Sequence, residues 1–218
     1  MALRARGEDT TSARSATHLH SSAFILHPLD SVVREFESTS PSLSGSILIA
    51  HPSLLDPNFR KSVLMLTAND PEEGSFALTL NRPSGRTVAD VLPGKELGAL
   101  ARVPVLLGGP VSADQLIFAS FLWHAETERL ECRHHLLIEE ATALVADDAV
   151  TVRAFIGYAG WTKGQLEGEL AQRAWLVQKA GREVLDLEKA PTLWRDITSN
   201  FGPWFRLVAE APDQPSRN

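Results

Sequence analysis

Cysteine is nearly missing from this chain. Cys132 is the only one in 218 residues, which excludes an intramolecular disulfide and any multi-cysteine zinc site. Positive charge is in short supply as well: 21 Lys and Arg stand against 27 Asp and Glu, a net of −6. That is the wrong sign for a protein that lives on phosphate backbones, so direct nucleic-acid binding is disfavoured. Long hydrophobic runs are lacking too; the apolar stretches are too short to span a bilayer, and no secretory cleavage pattern precedes them. These absences give the expectation of a cytoplasmic protein with no membrane partner.

What is present is ordinary for a folded chain. Hydrophobic residues make up 44% and charged residues 22%, which excludes wholesale disorder. The length suits one domain, or one domain and a tail, at about 100–200 residues per domain. The first 44 residues differ from the rest: Met1 to Ser22 is rich in Ser, Thr, Ala, Arg and His, and Ser38 to Ser42 is again rich in Ser and Pro. A short apolar segment between them, Phe24 to Phe36, suits one helix over Asp30–Glu37. Arg4, Arg6 and Arg14 give this stretch a faint resemblance to an organelle transit peptide, which Glu8 and Asp9 oppose. We expect residues 1–44 to be a disordered extension or the product of a start codon placed too early, 45–210 to be a single domain, and 211–218 to be a flexible tail.

From Gly45 onward, short apolar runs bounded by Pro, Asp, Asn and Gly read as buried strands: Ile47–Ala50, Val63–Leu66, Ser75–Leu80 and Val103–Leu107. Further strands are expected at Gln115–Leu122, Leu130–Leu137, Val150–Tyr158 and Glu183–Leu187. Helices are expected at Thr87–Leu92, Glu139–Ala146, Lys163–Ala174 and Thr192–Asn200. Leu166, Leu170 and Ala174 would face the core of the third helix, leaving Glu167 and Glu169 on a solvated face. Strands dominate the first half and helices interrupt the second, so the expected fold is α+β with a mixed, largely antiparallel sheet.

No established catalytic motif emerges. Gly108-Gly109-Pro110 follows a strand but lacks phosphate-loop spacing, and Pro110 removes a donor where a cradle needs one. Among the seven histidines, His18 and His20 lie in the polar extension. His134 and His135 are adjacent, so on a regular strand they point to opposite faces. His124-Ala125-Glu126 has the H-x-E of zinc deaminases without the P-C-x-x-C half. Cys132 sits beside Arg133 and His134, but a lone Cys among hydrophobic residues reads as a small apolar residue. Neither Ser62 nor Ser112 has a nucleophile-elbow context. No catalytic residue, metal ligand or cofactor is assigned. A DNA-reading helix is disfavoured as well, since residues from Gly45 onward hold 17 basic and 22 acidic side chains.

Three segments together carry a resemblance. Gly45-Ser46-Ile47-Leu48-Ile49-Ala50-His51-Pro52, Leu55 to Val63 and Leu80-Asn81-Arg82-Pro83 form the first; Val105 to Val111 with Asp114 form the second. Gly157-Tyr158-Ala159-Gly160-Trp161, Gly164 to Glu167, Glu169 and Trp175 form the third. In order and spacing these resemble the YqgE/AlgH family over Gly45 to about Trp194. The resemblance implies an α+β fold with a bifurcated or barrel-like sheet surrounded by helices. Members are bacterial, with relatives in plastid-bearing eukaryotes; they are often labelled transcriptional regulators without an established biochemical activity. The chain departs from the pattern at Ala68-Asn69-Asp70, where a His is common, and at Ala119-Ser120, where a Leu-His pair is common.

The polar residues of these segments have structural uses. Asp56 before Pro57 suits an Asx turn that Arg60 or Arg82 could pair with, and Asn81 suits a strand end. Gly164-Gln165 would open a helix with N–H groups able to dock an anion. The functional alternative is that Asp56, Arg60, Asn81, Arg82, Gly108, Gly109, Trp161 and Gln165 converge on one ligand pocket. The expected function is accordingly a non-enzymatic regulatory module that binds a small molecule or a protein partner. Two alternatives stay open: an enzyme acting on a small polar substrate through Asp56 and Arg82, and a direct DNA-binding regulator.

Overall fold

The computed structural model describes residues 43–211. The expected 30–37 helix, His18 and His20, most of the N-terminal extension and nearly all of the C-terminal tail lie outside them. Among the described residues the fold is α+β, built on a nine-stranded mixed sheet that is mostly antiparallel and open. Its main path runs β4 (Pro83–Thr87), β5 (Pro104–Leu107), β8 (Val150–Trp161), β3 (Gly74–Thr79), β2 (Val63–Asp70), β1 (Ser46–Ala50) and β9 (Trp175–Lys179). A branch leaves β8 through β6 (Val111–His124) to β7 (Arg129–Leu136).

Strand β8 makes the sheet bifurcate. Its first part pairs with β6 antiparallel and with β5 in parallel, the latter through Val105↔Ala154 to Leu107↔Ile156. Its last residues pair instead with β3, through Ala77↔Ala159 to Ser75↔Trp161. Gly157 lies at the changeover with φ +68°, a left-handed conformation that costs glycine little. Gly108 and Gly109 cross it so closely that a Cβ on Gly108 would fall on the Gly157 carbonyl, and one on Gly109 on the Tyr158 backbone. Polar groups of the Gly108-Gly109 corner are consumed by the crossing: Gly108 N–H donates to Ile156 O at 2.8 Å, while Thr79 donates its N–H and hydroxyl to Gly108 O at 3.0 and 2.9 Å.

The apolar runs form the two cores. Ile47, Leu48, Ile49, Val63, Leu64, Met65 and Leu66 are all fully buried, which accounts for their unbroken hydrophobicity. They join Leu193, Trp194 and Ile197 of α4 (Ala190–Thr198) and Ala209 of α5 (Pro203–Glu210). The second core lies under α1 (Val88–Val91), α2 (Ile138–Leu144) and the 3-10 turn Gly98–Arg102, around Val105, Phe118 and Ala154.

Two expectations about secondary structure are corrected. The last strand is Trp175–Lys179, not Glu183–Leu187; Arg182–Leu185 is a 3-10 turn. Helix α3 spans only Gln165–Ala171, because Arg173 takes φ +58° and turns the chain into β9 beside β1. The short β4 and the Pro-initiated α5 lie outside the expected elements, since Pro83-Ser-Gly-Arg-Thr has little strand propensity and is recruited by pairing with β5.

Candidate functional site

The segment between β1 and β2 organises one side of the molecule. Asp56 makes the expected Asx turn, its Oδ1 accepting from Asn58 N–H at 2.8 Å, and its carbonyl accepts from Phe59 and Arg60 N–H. Asn81, just past β3, clamps the end of this segment: its Oδ1 accepts from Val63 N–H at 2.8 Å and its Nδ2 donates to Lys61 O at 2.9 Å. That fixes Lys61 in a left-handed conformation, φ +55°. Arg82 Nη2 donates to Arg60 O at 3.1 Å. Burial pulls the Arg82 guanidinium below its ordinary range, with the Asp56 carboxylate opposing that shift. It stays charged nonetheless, as guanidinium does in proteins.

Against this segment lies α4. Trp194 is buried and pinned by its Nε1, which donates to Ala50 O at 2.8 Å. The Lys61 ammonium sits over the Trp194 ring, 5.3 Å from its centroid, within cation–π range. A cavity of about 640 Å³ opens here, lined by Lys61, Asn81, Pro191, Trp194, Arg195, Ala209, Glu210 and Ala211. Of the candidates read from sequence, Asn81 lines it, and Arg60 and Arg82 are chain neighbours of lining residues. Lys61, Trp194 and Arg195 were not among those candidates. Lys61 was adjacent to one, but Trp194 and Arg195 lie in a helix whose packing against the β1–β2 segment has no local signature.

Gly108 and Gly109 lie at the β5–β8 crossing already described. Trp161 and Gln165 belong to a third setting, the corner of β8, α3 and β9. Glu169 Oε2 accepts from both Trp161 Nε1 at 2.9 Å and Trp175 Nε1 at 2.8 Å, and its Oε1 accepts from Gln165 Nε2 at 3.2 Å. Glu169 is therefore not on a solvated face, as its spacing from Glu167 suggested. Phe59 joins this corner to the β1–β2 segment, its ring 6.3 Å from that of Trp161 and 5.5 Å from that of Trp175. Gln165 N–H donates to Thr162 O at 3.0 Å, so this donor is spent in the turn.

The histidine pair also departs from its expected geometry. His135 takes φ +57° where the β6–β7 register slips, and this bulge turns both imidazoles to one side. Their Nδ1 atoms lie 2.6 Å apart, and both rings pack on Phe76, at 4.7 and 5.0 Å. Burial, then the proximity of His135, lowers the His134 pKa. Among the described residues no group of three or more His, Cys, Asp or Glu side chains is placed to hold a metal ion. No helix among them is long and apolar enough to cross a membrane.

Comparison with known proteins matches residues 47–206 to the AlgH-like family, DUF179. A UPF0301 protein of Streptomyces coelicolor is 37% identical over 188 residues, covering 81% of this chain and 96% of its own. A UPF0301 protein of Stutzerimonas stutzeri is 36% identical over 163 residues, covering 68% of this chain and 84% of its own. Two solved structures share the fold. Protein DIP2367 of Corynebacterium diphtheriae has a TM-score of 0.61 at 22% identity, over 81% of this chain and 95% of its own. The AlgH protein of Pseudomonas aeruginosa has a TM-score of 0.57 at 26% identity, over 84% of this chain and 100% of its own.

Proposed function

The chain belongs to the AlgH-like family, and we propose that this member is a cytoplasmic, non-enzymatic regulatory module that binds a small molecule or a protein partner. The observation that carries this reading is the cavity between the Asn81-clamped segment and α4, at about 640 Å³ the size of a small-molecule site. Its walls are rigid by construction. The Asn81 amide holds the backbone on either side of Ser62, from the Lys61 carbonyl to the Val63 N–H, and the Ala50 carbonyl holds Trp194. Preorganised walls of this kind reduce the ordering cost of binding.

The polar residues read from the sequence are largely engaged in bonds to backbone or neighbouring side chains, which supports binding over catalysis. Asp56 caps its own turn, Arg82 braces the Arg60 carbonyl, and the Trp161–Gln165–Glu169 set is internally bonded. Cys132 does not supply a nucleophile, because burial pushes its thiol up to about 12. The net charge of −6 speaks against a DNA-binding role.

The test is a backbone-amide NMR titration of the full chain against a panel of central metabolites, run beside affinity capture from lysate. Saturable shifts of Lys61, Asn81 and Arg195 amides, or a captured protein that protects them from hydrogen exchange, are expected. A panel and a lysate that both leave those amides unmoved would overturn the reading.

A further inference from the structure

We propose that Ser53 is an acyl-acceptor site: with His51 as its base, the Ser53 hydroxyl takes up the acyl group of a small activated donor, an acyl phosphate or an aryl ester. Neither residue lines the cavity beside α4, so the proposal does not depend on that cavity.

The pair sits in the turn directly after β1. His51 N–H donates to Ala174 O at 2.9 Å, and His51 O accepts from Leu54 N–H at 2.8 Å, so the backbone on both sides of the pair is held. Within this turn the Ser53 hydroxyl oxygen lies 2.7 Å from His51 Nδ1, and the Ser53 backbone N–H donates to the same nitrogen at 3.2 Å. A ring nitrogen that accepts from a backbone N–H carries no proton of its own. The neutral ring is therefore protonated at Nε2, and the Ser53 hydroxyl is the donor to Nδ1. That is the relation a serine nucleophile needs to its base.

The imidazole is fixed as well. It stacks on Trp204 of α5, with centroids 5.9 Å apart and planes at 24°, and it meets Phe205 edge-on at 5.7 Å. Burial, then the Arg173 charge, lowers the His51 pKa, which keeps the ring in its proton-accepting form near pH 7. Ser53 itself is exposed. Trp204 is 48% exposed, so the ring that backs His51 also offers apolar surface on which an acyl or aryl group can rest.

In the step, Ser53 Oγ attacks the acyl carbonyl carbon while its proton passes to His51 Nδ1. The bond from Oγ to that carbon forms, and the bond from the carbon to the leaving oxygen breaks with its electron pair on that oxygen. The departing phosphate or phenolate then takes the proton from Nδ1, and the ring ends neutral. Among the described residues no carboxylate bonds the His51 ring, which separates the pair from a Ser-His-Asp triad. The pair is thus equipped for one acylation per chain, a modification of the module, and not for rapid turnover.

The experiment incubates the full chain separately with acetyl phosphate and with p-nitrophenyl acetate, and follows acetylation at each serine by peptide mass spectrometry. Ser44 is the internal reference: it is also exposed, but its hydroxyl donates to Thr67 O at 2.8 Å instead of to a base. Ser53 should acetylate at least about ten-fold faster than Ser44 with one donor or both, as general-base assistance predicts. The donor that reacts identifies the leaving group the site accepts. His51→Phe keeps a ring between Trp204 and Phe205 and should bring Ser53 down to the rate of Ser44. Wild-type protein unfolded in urea should show the same loss, without relying on a variant. A Ser53 rate no greater than that of Ser44 with either donor would overturn the proposal, as would an advantage that survives His51→Phe or urea.

Discussion

Glu169 and Trp175 are joined by a 2.8 Å hydrogen bond whose acceptor oxygen also takes the indole N–H of Trp161 at 2.9 Å. Both indoles are nearly buried, at 4% and 5% exposure, so one carboxylate satisfies two donors that water cannot reach. Glu169→Ala is expected to strand both and cost about 2–6 kcal/mol, from about 1–3 kcal/mol per unsatisfied buried group. Glu169→Gln keeps an acceptor oxygen and should cost less. Urea denaturation followed by tryptophan fluorescence measures the difference, and equal stability of Glu169→Ala and wild type would refute the role.

The glycines make a contrasting pair of predictions. Gly108→Ala drives a Cβ into the Gly157 carbonyl at the sheet crossing and should cost at least about 3 kcal/mol or prevent folding. Gly168→Ala, within α3, meets nothing within 4 Å and should stabilise by about 0.5–1 kcal/mol through helix propensity. Thermal melts of both variants check the opposite signs.

Stability should fall on mild acidification. Burial, then Arg173, lowers the His51 pKa, and burial, then His135, lowers that of His134. Both folded-state values lie below the ordinary imidazole value of about 6.5, so the unfolded chain binds more protons in this range. The contribution of these groups is full above about pH 6.5 and is lost as pH falls through the folded-state values. Urea midpoints at pH 7.5 and 5.5 should show the loss, and His134→Gln should flatten it. A pH-independent midpoint would contradict the burial of these rings.

Cys132 should be inert in the native state. With its thiol pushed up to about 12 by burial, almost no thiolate exists at pH 8. Modification by a disulfide reagent should be slow in buffer and fast in urea; rapid labelling of folded protein would show that the thiol is reachable.

Much of the scaffold was legible locally. Ile47–Ala50 and Val63–Leu66 announce buried strands because both faces of those strands are covered and every residue is apolar. The Asx turn at Asp56 is equally local, since the carboxylate bonds a backbone N–H two residues on. Less legible were features created by a partner. Pro83–Thr87 becomes a strand because β5 lies beside it, and the His134–His135 pair faces one way because a bulge breaks the period of two. Glu169 looked solvent-facing from helical spacing, and only the approach of β8 and β9 supplies its two indoles.

The sequence by itself determined the α+β class, most strands, the family resemblance, and an acidic character that argues against phosphate-backbone partners. Those properties depend on composition, near-neighbour spacing and local backbone preference. Tertiary structure decided which candidates share a place. Asn81 meets Lys61 across the β2–β3 unit, and Trp194 and Arg195 arrive from more than a hundred residues later in the chain. A cavity depends on packing between distant elements, which has no signature in local spacing.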